Sequence, residues 1–174
     1  MFDKILVALS DSSDGSTVFD YALSIAKPKI SQMLLLHFID WQVVKSFPLA
    51  DLEFFYGMDL PDDCGNWSHK YLEQKVAENG TWLKSYAEKA HQHDISCQYE
   101  CQIGSCNSGI GDRAKEWEAD LIVIGRRGHE NISEILLGSV SNYVVHHAPC
   151  SVLVVQGSKT TEVDELDGAV LINS

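Results

Sequence analysis

Ala119-Asp120-Leu121-Ile122-Val123-Ile124-Gly125-Arg126-Arg127-Gly128 is the stretch on which the fold turns. Asp120 to Ile124 is a short, almost unbroken apolar run rich in branched side chains, the pattern of a strand buried on both faces. Gly125 and Gly128 end it abruptly. Further on, Gly138-Ser139-Val140-Ser141 opens a helix from Ser139 to His147, and Ala148-Pro149 stops it. Ser151 to Val155 (SVLVV) then reads as another buried strand. A strand, a helix and a strand at this spacing make a parallel βαβ unit.

Working outward, the same alternation recurs. Lys4 to Leu9 (KILVAL) reads as a buried strand, and Ser10-Asp11-Ser12-Ser13-Asp14-Gly15 follows as a loop crowded with helix N-cap residues. Val18, Phe19, Ala22, Leu23 and Ala26 recur at helical spacing, and Lys27-Pro28 closes that helix. Met33 to Ile39 (MLLLHFI) is a second buried strand. From residue 40 to about 68 the pattern breaks, with Pro48, Gly57, Pro61 and Gly65 set among six aromatic residues. An insertion of this length without periodicity is uncommon and often functional. The helical period returns from about Ser68 to His93, with Leu72, Val76, Leu83, Ala87 and Ala90 on one stripe. Ile95, Cys97, Tyr99, Cys101 and Ile103 alternate with polar residues, which predicts a strand buried on one side at a sheet edge. Gly104 to Ser108 is expected to turn the chain, and Ile110 to Trp117 to form a short helix. The expected architecture is α/β: an open, doubly wound five-stranded parallel sheet with helices on both faces.

The chain has 174 residues, room for one domain, here placed at 1–157 with the 40–68 insertion inside it and an acidic tail at 158–174. A chain of this length buries a sizeable core without disulfides or metals. Its five cysteines, Cys64, Cys97, Cys101, Cys106 and Cys150, are odd in number and lack CxxC spacing, so they read as free thiols of a reducing compartment. With no apolar run near the length of a membrane span and no signal-like start, a cytoplasmic location is expected. The formal net charge of −12 argues against a general nucleic-acid binder and against anionic membranes. It leaves room for a small anion, because one site needs only local donors.

In doubly wound sheets ligands sit beyond the carboxyl ends of the strands, which directs attention to Ser10-Asp11, Ile39-Asp40, Gly104-Ser105 and Gly125 to Gly128. The glycines let backbone approach a ligand closely. The helix opening at Gly138-Ser139 offers free N–H groups and the positive end of its dipole, and Ser139 and Ser141 add hydroxyls. Together these form an anion cradle suited to phosphate. Arg126 and Arg127 supply positive charge beside it. His37, at the end of a buried strand, reads as a hydrogen-bonded core histidine, and His146-His147 as side chains capping helix carbonyls. The P-loop GxxxxGK(S/T) is absent, and any ATP hydrolysis is expected to be slow.

The spacing Gly125-x2-Gly128-x9-Gly138-Ser139 resembles the G-x2-G-x9-G-(S/T) signature of the nucleotide-binding branch of the universal stress protein family. The resemblance extends over residues 3 to about 156, through Lys4-Ile5-Leu6-Val7, Leu35-Leu36-His37, Leu137 to Ser141 and His147 to Val155. It implies the strand order 3-2-1-4-5, a homodimer joined through the last strand, and ATP or AMP between the ends of strands one and four, with Mg²⁺ accompanying ATP. By position, Ala8, Leu9 and Ser10 would edge adenine and ribose, and Phe38 would line the base pocket. Ile124, Gly125, Arg127 and Gly128 would hold ribose and α-phosphate, and Gly138, Ser139, Val140 and Ser141 the outer phosphates. One position departs from the family. Asp is usual directly after strand one; here Ser10 stands there, followed by Asp11. Loss of one charge-assisted hydrogen bond costs about 1.5–3 kcal/mol of affinity.

An uninterrupted apolar edge strand invites pairing, so Val152 to Val155 independently favours a second copy of the chain. The expected function is that of an adenine-nucleotide-binding sensor or regulator. Two alternatives stay open: a non-nucleotide scaffold whose insertion or acidic tail meets a protein partner, and a slow ATPase.

Overall fold

The computed structural model describes residues 2–10, 15–39, 64–126 and 137–156, with the side chains of 64–71 left aside. The insertion between residues 40 and 63 and the tail at 158–174 lie outside the described residues.

Five strands form one sheet: β1 (Lys4–Ala8), β2 (Gln32–Ile39), β3 (Ser96–Ile103), β4 (Leu121–Gly125) and β5 (Ser151–Val155). Their order is β3-β2-β1-β4-β5, and every neighbouring pair is parallel. The helices are α1 (Gly15–Ile25), α2 (Cys64–Gln92), α3 (Cys106–Glu116) and α4 (Ser139–His147).

Both faces of the sheet are covered, which is why its central strands are apolar at successive positions rather than alternate ones. Ile5, Val7, Met33, Leu35 and Val123 pack on one face with Val18, Phe19 and Ala22 of α1 and Leu83, Ala87 and Ala90 of α2. Leu6, Leu34, Leu36 and Ile122 pack on the other with Ile110 and Ala114 of α3 and Val144 of α4. The doubly wound sheet expected from the sequence is therefore the one observed.

Three boundaries or surfaces differ from the sequence expectation. Helix α2 begins at Cys64, not near residue 68, and runs through Gly80, beside which a Cβ would meet nothing within 4 Å. Helix α3 begins at Cys106, where Gly104 to Ser108 reads as a turn. The cause is packing: a Cβ on Gly109 would lie 2.4 Å from Cζ of Phe38, so glycine is needed for the helix to approach β2. Finally, Tyr99 and Ile103 on the expected buried face of β3 are 41% and 45% exposed, whereas Cys97 on that face is buried. Periodicity identifies a face but not how far along it the covering layer extends.

Candidate functional site

The site expected from the sequence lies where β1 and β4, adjacent in the sheet, end together. Ala8 and Ile124 are register partners across that pair. The next residue of β4, Gly125, pairs with Val155 of β5, and the Arg126 N–H donates to the Val155 carbonyl at 2.8 Å. Ala8, Phe38, Ile124 and Val140 belong to one hydrophobic cluster on the α3–α4 face, so four of the positions named from the sequence are brought together there. Leu9 is buried on the opposite face, in the cluster with α1 and α2. Phe38 is half-buried and lies against α3 at Gly109. Arg127 and Gly128 lie outside the described residues, as do Asp11, Asp40 and His129.

The N-terminus of α4 is the other element named from the sequence. Gly138 stands at its N-cap and has no side chain to cap the first-turn N–H groups. Ser139 is exposed at the helix start. Ser141 is buried, and its hydroxyl donates to the Gly138 carbonyl at 3.0 Å. Its only O–H is therefore engaged in holding the cap, and its contribution to an anion would be through its backbone or after rotation.

On the α1–α2 face the end of β1 and the start of α1 approach closely. A Cβ on Gly15 would lie 2.7 Å from the Ser10 carbonyl oxygen and 3.4 Å from Cζ2 of Trp82. His37 is buried, with Nδ1 2.9 Å from the Leu9 carbonyl oxygen and its ring edge-on to Trp82, centroids 5.7 Å apart. The expectation of a hydrogen-bonded core histidine is met. Gly15 and Trp82 are contributions that sequence reasoning missed. Gly15 reads there as the last residue of a polar loop, and Trp82 flanks the apolar stripe of α2 without belonging to it. At the other end of α4, His147 Nδ1 lies 2.8 Å from the Tyr143 carbonyl oxygen, the capping contact expected of it.

A cleft of about 380 Å³ between α3 and α4 is lined by Asn107, Asp112, Lys115, Tyr143 and His147 among others, and sits at the carboxyl end of α4, away from Gly138. Burial pushes the Cys97 thiol up to about 12, and burial likewise raises Cys101 and Cys150. Among the described residues no group of His, Cys, Asp and Glu is arranged to hold a metal ion. No described helix is long and apolar enough to cross a membrane.

A parallel α/β sheet in the order 3-2-1-4-5, with a glycine-ended β4 and a glycine–serine start to α4, defines a doubly wound class of protein. The family model of the universal stress proteins matches residues 1–156, and the chain belongs to that family. Universal stress protein Sll1388 of Synechocystis sp. is 36% identical over 155 residues, covering 89% of this chain and 98% of that protein. The structure of universal stress protein UspA from Lactobacillus plantarum superimposes with a TM-score of 0.67 at 23% identity, covering 88% of this chain and 97% of that one. A universal stress protein family protein from Arabidopsis thaliana, solved with AMP bound, has a TM-score of 0.62 at 19% identity, covering 90% of this chain and 93% of that one. At these identities the two structures speak for the shared fold.

Proposed function

We propose that this universal stress protein binds an adenine nucleotide, ATP or AMP, at the carboxyl ends of β1 and β4 and acts as a homodimeric sensor or regulator. The observation that carries the reading is that β1 and β4 end side by side at Ala8 and Ile124, with β4 closing on Gly125, while α4 opens its N-terminus on Gly138. Such a terminus attracts anions through its N–H groups and dipole. The AMP-bound Arabidopsis relative of the same fold adds support. Ala8, Leu9 and Ser10 with Phe38 would border adenine and ribose; Ile124, Gly125, Arg127 and Gly128 the ribose and α-phosphate; Gly138, Ser139, Val140 and Ser141 the outer phosphates of ATP, with Mg²⁺ beside them. Residues 1–157 would form the binding domain, paired with a second copy through β5 at the sheet edge. In a sensor, occupancy must favour one conformation by differential affinity.

One observation favours a second reading, a scaffold of the same fold that meets a protein partner. Ser10 stands where the family usually places Asp, and the Ser141 hydroxyl is engaged with Gly138. The two readings separate in a calorimetric titration. The protein is freed of ligand by unfolding and refolding, then titrated with ATP and with AMP, each with and without Mg²⁺, alongside Gly128→Val. The nucleotide reading expects saturable binding that weakens by about tenfold or more in the variant, because a branched side chain blocks backbone approach to phosphate. Folded wild-type protein that gives no heat with millimolar nucleotide would sink it.

A further inference from the structure

The end of β1 is held by a side chain. Leu9 lies one residue beyond β1, and its N–H donates to the Leu36 carbonyl at 2.9 Å, extending the ladder toward β2. The partner of its own carbonyl is Nδ1 of His37, at 2.9 Å. A carbonyl only accepts, so Nδ1 carries the proton. The imidazole thus tethers the last turn of chain before the loop, under cover of Trp82, with His37 only 8% exposed. The Leu9–Ser10 peptide is trans and planar. With its carbonyl turned to β2 and His37, the N–H of Ser10 at the other end of the same plane points the opposite way, to the β4 side of β1.

We infer that His37 is a positioning residue of the nucleotide site: its Nδ1–H fixes the Leu9–Ser10 peptide and so presents Ser10 on the β4 side of β1, against the ribose of the ligand. The inference rests on the nucleotide reading above. It gives the short Ser10 side chain a fixed origin where the family's longer carboxylate would tolerate a looser one.

The test compares wild type, His37→Asn and His37→Gln by AMP titration and by hydrogen exchange at the Leu9 amide. Asn carries its side-chain nitrogen where Nδ1 stands; Gln is larger but carries its own near the Nε2 position. Positioning expects His37→Asn to bind AMP within about threefold of wild type and His37→Gln to bind about tenfold more weakly, with faster Leu9 exchange in the Gln protein alone. A ring that only fills space predicts the opposite order, because Gln replaces more of its volume. Equal binding by the two variants, or tighter binding by Gln, overturns the inference. Should His37→Gln not fold, the Asn variant decides: near wild-type binding supports the inference, and a tenfold loss overturns it. If wild type binds no AMP, the nucleotide reading and the ligand half of this inference fail together. Leu9 exchange then judges the tether by itself, and equal rates in the two variants overturn it.

Discussion

At the amino ends of the strands, helices return to the sheet through turns tied by polar side chains, whereas at the carboxyl ends β3 and β4 leave the sheet through Gly104 and Gly125. The amino-end turns are dense. Asp120 accepts hydrogen bonds from the N–H groups of Asp3 and Lys4 at 2.9 and 2.8 Å, and the Lys4 ammonium donates to the Trp117 carbonyl and pairs with Glu118. Ser31 donates to the Phe2 carbonyl and accepts from the Lys27 N–H. Among the described residues, the non-glycine positions with left-handed backbone, Lys29, Asp94 and Glu118, all lie in these turns. Behind α2 and α3 the pattern is the Schellman motif: Ile95 N–H to Ala90 and Ala119 N–H to Ala114, inside them Asp94 N–H to His91 and Glu118 N–H to Lys115. The carboxyl end has Gly125, Gly138 and Gly15, an α4 start with glycine at its N-cap, and a carbonyl held by an imidazole. One end of the sheet is tied by polar side chains; the other is built largely from glycine and main chain.

Three substitutions sharpen or break that contrast. The largest effect is expected at Gly15. A Cβ there meets the Ser10 carbonyl at 2.7 Å, a backbone atom that no rotamer change moves aside. Gly15→Ala should lower unfolding stability by about 1–3 kcal/mol, read from urea midpoints. A loss within error would mean the carboxyl end yields more readily than its packing suggests.

Next comes Asp120, whose carboxyl the N–H groups of Lys4 and Asp3 hold below the usual carboxylate range. A folded-state pKa below the unfolded one contributes stability above the unfolded value, near 4, that is lost as pH falls through the folded value. Asp120→Asn should therefore cost about 1 kcal/mol at neutral pH. The stability curves of variant and wild type should converge as pH falls through the folded value, where the wild-type carboxyl is protonated too. Curves that stay parallel across the acid range would remove Asp120 from the account.

The smallest effect is a gain. Asp94 adopts φ 60°, which glycine adopts without the Cβ penalty. Asp94→Gly should raise stability by about 0.5 kcal/mol once the greater freedom of unfolded glycine is set against the strain, a difference that thermal unfolding resolves. A loss would mean that the Asp94 side chain contributes more than its backbone costs.

Much of this was legible in the residues. Strands buried on two faces must be apolar at successive positions, so KILVAL, MLLLHFI and DLIVI announce themselves, and the helices between them force parallel pairing. The single-sided alternation of residues 95 to 103 placed β3 at an edge, where it lies. The Gly125 to Ser141 spacing that resembles the signature of the family was legible too, since the match is one of sequence alone. The start of α3 was not. Ser108-Gly109-Ile110-Gly111 has the composition of a turn, and only Phe38, far away in sequence, makes Gly109 a packing residue. The exposure of Tyr99 and Ile103 was hidden likewise, since it depends on what lies above them and not on their spacing.

What the sequence determined by itself is therefore the kind and order of the elements and the family, because these follow from local periodicity and motif spacing. Tertiary structure alone decided which groups at the strand ends are already engaged: Phe38 with Gly109, and His37 with Leu9. Hydrogen bonds and close contacts between residues distant in sequence carry no periodic signature, and they exist only once the sheet has brought its strand ends together.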